Sequence, residues 1–124
     1  MTHPYFHHSF INRLLPFSIS NKSLLDVDFG RGIWGYMIKA DREVANSHII
    51  GLDLSIHYLN FANYHRIYDS YILASATHLP LRTKSINIVL GIEVIEHLSK
   101  ENGQFLSEIG RVCKEVAILS TPNI

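Results

Sequence analysis

Three glycines and three aspartates stand close together in the residues Asp26-Val27-Asp28-Phe29-Gly30-Arg31-Gly32-Ile33-Trp34-Gly35 and in Asp53, which follows about 20 residues after the turn. The glycines are spaced GxGxxG. Such a turn lets backbone N–H groups approach a ligand at the start of a helix, and a carboxylate at that downstream distance accepts hydrogen bonds from ribose hydroxyls. The chemistry indicated is the binding of an adenosine-containing ligand. The residues alone leave open a dinucleotide, with its pyrophosphate on the turn, or another adenosine cofactor. A plainer alternative is that Gly30, Gly32 and Gly35 only permit a tight turn and close helix packing, with Asp53 as the exposed end of a strand.

The chain around these residues has 124 residues, formal charges that balance to zero, and 47% hydrophobic residues. That suits one domain with a substantial core and gives no sign of disorder or of a basic nucleic-acid surface. The single cysteine, Cys113, excludes an intramolecular disulfide and fits a packed thiol on an apolar helical position. No apolar run reaches the roughly 20 residues that span a bilayer, and the first residues lack the pattern of a secretory signal, so a cytoplasmic location is expected. His3, His7 and His8 crowd the N-terminus. His7 and His8 are adjacent and cannot share a helical face, so no metal site is expected there.

The elements that must position the glycine turn follow from periodicity. Phe6 to Leu15 reads as a leading helix ended by Pro16, within an N-terminal segment 1–22 that precedes a domain over 23–124. Ser23 to Phe29 reads as a strand, and the turn then opens a helix with Ile33, Tyr36, Met37 and Ala40 on one face. His48 to Leu52 reads as a strand ending at Asp53, and Ser55 caps a helix through about Tyr64. Tyr71 to Ala74 is a third strand and the continuously apolar Ile86 to Ile92 a fourth, covered on both faces. A helix from about Lys100 to Lys114 aligns Leu106, Ile109, Gly110 and Cys113, and Val116 to Ser120 is a fifth strand. This alternation predicts an α/β, Rossmann-like doubly wound fold, with a mostly parallel five-stranded sheet and its ligand at the C-terminal strand ends.

Four stretches in order, LLDVDFGRGIWG, IIGLDLS, ILASATHLPLRTKSINIVLGIEVIEHL and EVAILSTPN, resemble the class I S-adenosylmethionine-dependent methyltransferases, in particular the type 11-like domains with an LP, apolar strand and EHL pattern. A dinucleotide site explains GRGIWG and Asp53 but gives no reason for ATHLPL or VIEHL. The resemblance implies S-adenosyl-L-methionine as cofactor and a methyl acceptor that the sequence does not identify. It implies that Asp26, Gly30 and Gly32 shape the methionine side of the pocket, that Asp53 takes the ribose, that Ser75 and Ala76 border the adenine, and that Ile92 and Glu93 close the floor on the acceptor side. Glu96 and His97 complete the EHL pattern. They read first as a helix-start pair beside a packing Leu98, with His97 a candidate general base.

Three positions depart from the family. Asp28 stands at a family glycine, Ser75 replaces the acid that bonds the adenine amino group, and Asn87 replaces a common aspartate of the fourth strand. The chain also ends after the fifth strand, where the family adds two more, so the fifth strand is expected as an apolar edge through which two copies associate. The alternative reading is a non-catalytic binding or assembly protein that keeps the fold with a degenerate cofactor site. Tyr5, Phe6, His7 and Phe10 read as a helix packed on the sheet or a lid over the pocket.

Overall fold

The computed structural model of the protein describes residues 11–92, 94 and 102–120. Strand β1 (Ser23–Val27) lies at the centre of a five-stranded sheet because its side chains are apolar towards both faces. Leu24 and Leu25 are both fully buried, each in a different core. Around it run β2 (His48–Asp53), β3 (Ser70–Leu73), β4 (Ile86–Ile92) and β5 (Cys113–Ser120), in the order β3-β2-β1-β4-β5, with every pair parallel. The sheet is Rossmann-like, as predicted. From β1 the chain first winds outward to β2 and β3, then returns to β4 and β5, so the C-terminal ends of β1 and β4 flank the switch point where such sheets open a crevice.

Helix α1 (Ile33–Asp41) follows β1, α2 (Ile56–Tyr64) follows β2, and α3 (Asn102–Val112) precedes β5. Trp34, Ile38, Leu59 and Ala62 from α1 and α2 pack on one face of the sheet, where Ile11, Leu15 and Ile19 also lie. Phe105, Ile109 and Val112 from α3 pack on the other face. Residues 11–14 are helical, Leu15 is not, and residues 6–10 of the predicted leading helix lie outside the described residues.

Two predicted helix faces are corrected. On α1 the buried residues are Trp34, Gly35 and Ile38, whereas Ile33 and Tyr36 are 49% and 66% exposed and border a groove of about 360 Å³ with Phe61, His65 and Ile67. A nine-residue helix with apolar side chains at both phases satisfies either stripe, and the preceding turn chooses between them. On α3 the face is Phe105, Ile109 and Val112 rather than Leu106, Ile109, Gly110 and Cys113. Cys113 is not helical: it opens β5, paired with Ile86, because α3 passes directly into the strand. The third strand starts one residue earlier than predicted, at Ser70, and the fifth starts three residues earlier, at Cys113. Ser55 caps α2 as expected, its hydroxyl accepting the Tyr58 N–H at 3.3 Å. As the outermost strand, β5 carries the exposed charged residues Lys114 and Glu115. Among the described residues no helix is long and apolar enough to cross a membrane.

Candidate functional site

Where β1 ends, the backbone turns left-handed. Asp28 has φ 56°, Gly30 60° and Gly32 78°, and this curl delivers the chain into α1 without a side-chain cap. The Asp28 N–H donates to the Leu52 carbonyl at 2.7 Å, which holds the start of the turn against β2. Aspartate is one of the few residues that tolerates this conformation, so the turn forms here with a carboxylate on it.

The three glycines of the fingerprint do different work. A Cβ on Gly35 would meet the Tyr68 ring at 2.5 Å and Ile67 at 2.8 Å, so this glycine serves close packing. Gly32 lies 3.1 Å from Ile67 by the same measure. Around Gly30 there is nothing within 4 Å, so no packing demand accounts for a glycine at that position. It leaves open space at the mouth of the switch point.

Asp53 is 5% exposed and is not the exposed strand end of the plainer alternative. One carboxylate oxygen accepts the Gly30 N–H at 3.0 Å and the other accepts the Ser55 N–H at 2.9 Å. Each oxygen has a second acceptor position, so the pair of N–H bonds leaves the acid able to take ribose hydroxyls. The Ala74 N–H donates to the Asp53 carbonyl at 3.2 Å, bringing the end of β3 and hence Ser75 alongside.

Asp26 is 2% exposed, and its Oδ2 accepts the Tyr68 hydroxyl at 2.6 Å. Burial pushes its pKa up from 3.8 to about 7; the Tyr68 bond opposes that rise, and Asp53 and Asp28 reinforce it by repulsion. Burial beside Asp26 in turn raises the Tyr68 phenol well above its ordinary value. Asp26, Asp28, Gly30, Gly32 and Asp53 are thus one cluster. Sequence reasoning missed Tyr68, although a buried acid near the end of a central strand demands a donor; the tyrosine precedes β3, two strands away, and reaches Asp26 across β2 at Gly51.

Of the remaining predicted residues, Ser75, Ala76 and Ile92 are among those described. Ser75 is half-buried, its hydroxyl 2.8 Å from the Thr77 hydroxyl and accepting the Thr77 N–H at 3.2 Å. Ala76 is buried with Leu79 in the second core. The loop beyond them is fixed by Arg111, whose guanidinium donates to the Leu79 and Leu81 carbonyls at 2.9 and 2.7 Å and pairs with Glu108. Ile92 is half-buried at the end of β4, two residues past the Asp26 and Leu90 pair and so level with Asp28. Glu93, Glu96, His97 and Leu98 lie outside the described residues, as do His3, Tyr5, Phe6, His7, His8 and Phe10.

Asn87 belongs to none of this. Its Oδ1 accepts the Ser23 N–H at 2.9 Å and its Nδ2 donates to Glu115, at the N-terminal end of the sheet. The departure there leaves the C-terminal end of the sheet, with the glycine turn, untouched. Among the described residues no group of three or more His, Cys, Asp or Glu is placed to hold a metal ion.

A family profile described as a methyltransferase domain matches residues 27–120. The chain belongs to the methyltransferase-domain family. Its fold is the class I S-adenosylmethionine-dependent methyltransferase fold. One chain of the complex between the Haloferax volcanii Trm112 methyltransferase activator and a protein named as a methyltransferase superposes with TM-score 0.78 at 18% identity, over 94% of this chain and 51% of that one. A SAM-dependent methyltransferase of Aquifex aeolicus gives 0.69 at 18% identity, over 90% and 60%. Haemonchus contortus phosphoethanolamine N-methyltransferase 1, in complex with phosphoethanolamine and S-adenosylhomocysteine, gives 0.77 at 20% identity, over 93% and 25%. The methyltransferase domain therefore spans about half the length of the Haloferax neighbour and 60% of the Aquifex one. No curated protein matches it.

Proposed function

We propose that this methyltransferase domain binds S-adenosylmethionine at the glycine turn and transfers its methyl group to an acceptor. The observation that carries the reading is the set of three carboxylates at the turn: Asp26 and Asp28 on the chain leading into it, and Asp53 accepting its Gly30 N–H at 3.0 Å. An anionic pyrophosphate is repelled from such a turn, whereas the sulfonium and ammonium groups of S-adenosylmethionine are attracted by Asp26 and Asp53, and Asp28 acts against only its carboxylate. The dinucleotide reading of GRGIWG loses its support on that charge.

In this reading Asp53 holds the ribose through its second acceptor positions, Gly30 leaves room for the ligand's methionine end, and Ser75 stands at the adenine edge. When bound, the cofactor supplies a methyl group already activated by positive sulfur. The domain's own work is then to position the reactants. A general base is needed only where the acceptor must lose a proton, which is the role His97 would fill.

Isothermal titration with S-adenosylmethionine, S-adenosylhomocysteine and NAD tests the proposal. Micromolar binding of the first two without NAD supports it. Binding of NAD alone overturns it in favour of a dinucleotide site. Binding of none overturns it in favour of a fold kept for assembly, the outcome that Asp28 on the turn and neutral Ser75 would then explain.

A further inference from the structure

Tyr68 stands outside every pattern by which the cofactor end of the sheet was read, yet it is built into three elements at once. Its ring fills the notch between Gly35 of α1 and Gly51 of β2, where added Cβ atoms would lie 2.5 and 2.7 Å from ring carbons. Phe29 packs on it at 4.8 Å between ring centroids and Tyr71 meets it edge-on at 5.9 Å. The Tyr71 hydroxyl accepts the Tyr68 N–H at 3.0 Å and donates to the Ala62 carbonyl at 2.8 Å, which ties the Tyr68 backbone to α2. The ring is enclosed by these contacts, and its hydroxyl is aimed at Asp26 Oδ2, 2.6 Å away.

We propose that Tyr68 is a positioning residue of the cofactor site: its hydroxyl holds the Asp26 carboxylate ionised beneath the glycine turn and so sets a preference for a cationic sulfonium over a neutral thioether. The inference rests on the S-adenosylmethionine reading given above. The groups that act on Asp26 are Asp53 from β2, Asp28 from the turn and Tyr68 from the connection into β3, with Tyr71 behind it. Both acids and the burial favour a proton on Asp26, and the Tyr68 hydroxyl opposes them. Deleting that hydroxyl leaves a buried carboxylate with its proton retained at neutral pH.

The two cofactor forms isolate this effect. S-Adenosylmethionine and S-adenosylhomocysteine share the adenosine, ammonium and carboxylate groups and differ by a methyl group and one positive charge. Their affinity ratio therefore cancels general damage to the pocket and reads the charge beneath the sulfur. In the wild-type protein the preference for S-adenosylmethionine is expected to rise about threefold as pH goes from about 6 to about 8. Tyr68→Phe keeps the ring and is expected to displace that rise to higher pH, lowering the preference about threefold at neutrality. Asp26→Asn keeps Tyr68 and is expected to give a low ratio that does not change with pH.

Calorimetric titration of both ligands across this range, on the wild type and the two variants, decides the matter. A Tyr68→Phe protein with the wild-type ratio and pH profile overturns the role of Tyr68. So does an Asp26→Asn protein that retains the pH dependence, which keeps the test valid if Tyr68→Phe does not fold. Wild-type protein that binds neither ligand at any pH overturns the cofactor reading itself, and the inference with it.

Discussion

The Gly30 N–H donates to Asp53 Oδ2 at 3.0 Å, so the most open glycine of the turn is fastened to the acid that ends the neighbouring strand. Since the other Asp53 oxygen accepts the Ser55 N–H, one carboxylate ties together the turn, β2 and the start of α2. Asp53→Asn retains one oxygen but sets an amide N–H₂ against one of those backbone donors. The expected loss of stability is about 1–3 kcal/mol by urea denaturation. Affinity for S-adenosylmethionine should fall at least about tenfold, because the ribose acceptor is lost along with the shape of the turn. Wild-type affinity in a folded Asp53→Asn protein would show that the ribose is held elsewhere.

Asp26 imposes a pH dependence opposite to that of a salt-bridged carboxylate. Its folded-state pKa of about 7 lies above its ordinary 3.8, so between these values the folded protein keeps a proton that the unfolded chain has released. Its contribution therefore lowers stability as pH rises from about 4 to about 7 and levels off above, with a ceiling on the order of 4 kcal/mol. Asp26→Asn removes the titration while its carbonyl can still accept from Tyr68. Urea midpoints measured across this window should fall for the wild type and be flatter for the variant. Equal slopes for the two proteins would count against a protonated Asp26.

How much of this was legible in the sequence depends on whether a local rule or a tertiary contact decided it. The capping of α2 by Ser55, the β4 boundaries and the alternation that fixes the parallel sheet are local, and they stand as read. The buried face of α1 was not legible, because Trp34 and Ile38 compete with Ile33, Tyr36 and Met37 at equal spacing, and only the left-handed curl before the helix sets the phase. Asn87 is the second residue of the predicted Ile86–Ile92 strand, so its place at the N-terminal end of the sheet was legible, but its partners Ser23 and Glu115 were not. Tyr68 was invisible because its partners, Asp26, Gly35 and Gly51, come from three other elements.

Gly35 and Gly30 should respond differently to the same substitution. In Gly35→Ala the new methyl would stand 2.5 Å from the wedged Tyr68 ring, which cannot swing away without breaking its bond to Asp26. A loss of about 1–3 kcal/mol is expected from such overpacking. Gly30→Ala meets no neighbouring atom, and its φ of 60° costs about 1–2 kcal/mol for a residue with a Cβ. Its larger effect is expected on ligand affinity, since the methyl enters the open space at the turn. Paired thermal melts and S-adenosylmethionine titrations separate the two, and a Gly30→Ala protein that binds normally would place the ligand away from this turn.

Asp28→Gly restores the family residue at the point where the turn first becomes left-handed. Relief of the backbone cost at φ 56°, about 1 kcal/mol, is offset by about 0.5–1 kcal/mol of added freedom in the unfolded chain, so stability should change little. Binding should change more. Asp28 repels the carboxylate that S-adenosylmethionine and S-adenosylhomocysteine both carry, and it also favours the proton on Asp26. Removing it is expected to tighten both ligands about threefold or more, with the gain shrinking as ionic strength rises because the turn is only half-buried. Titrations at low and high salt check both statements. A gain that salt does not touch would point to steric relief rather than charge, and an unchanged or weaker affinity would show that Asp28 is no obstacle to the cofactor.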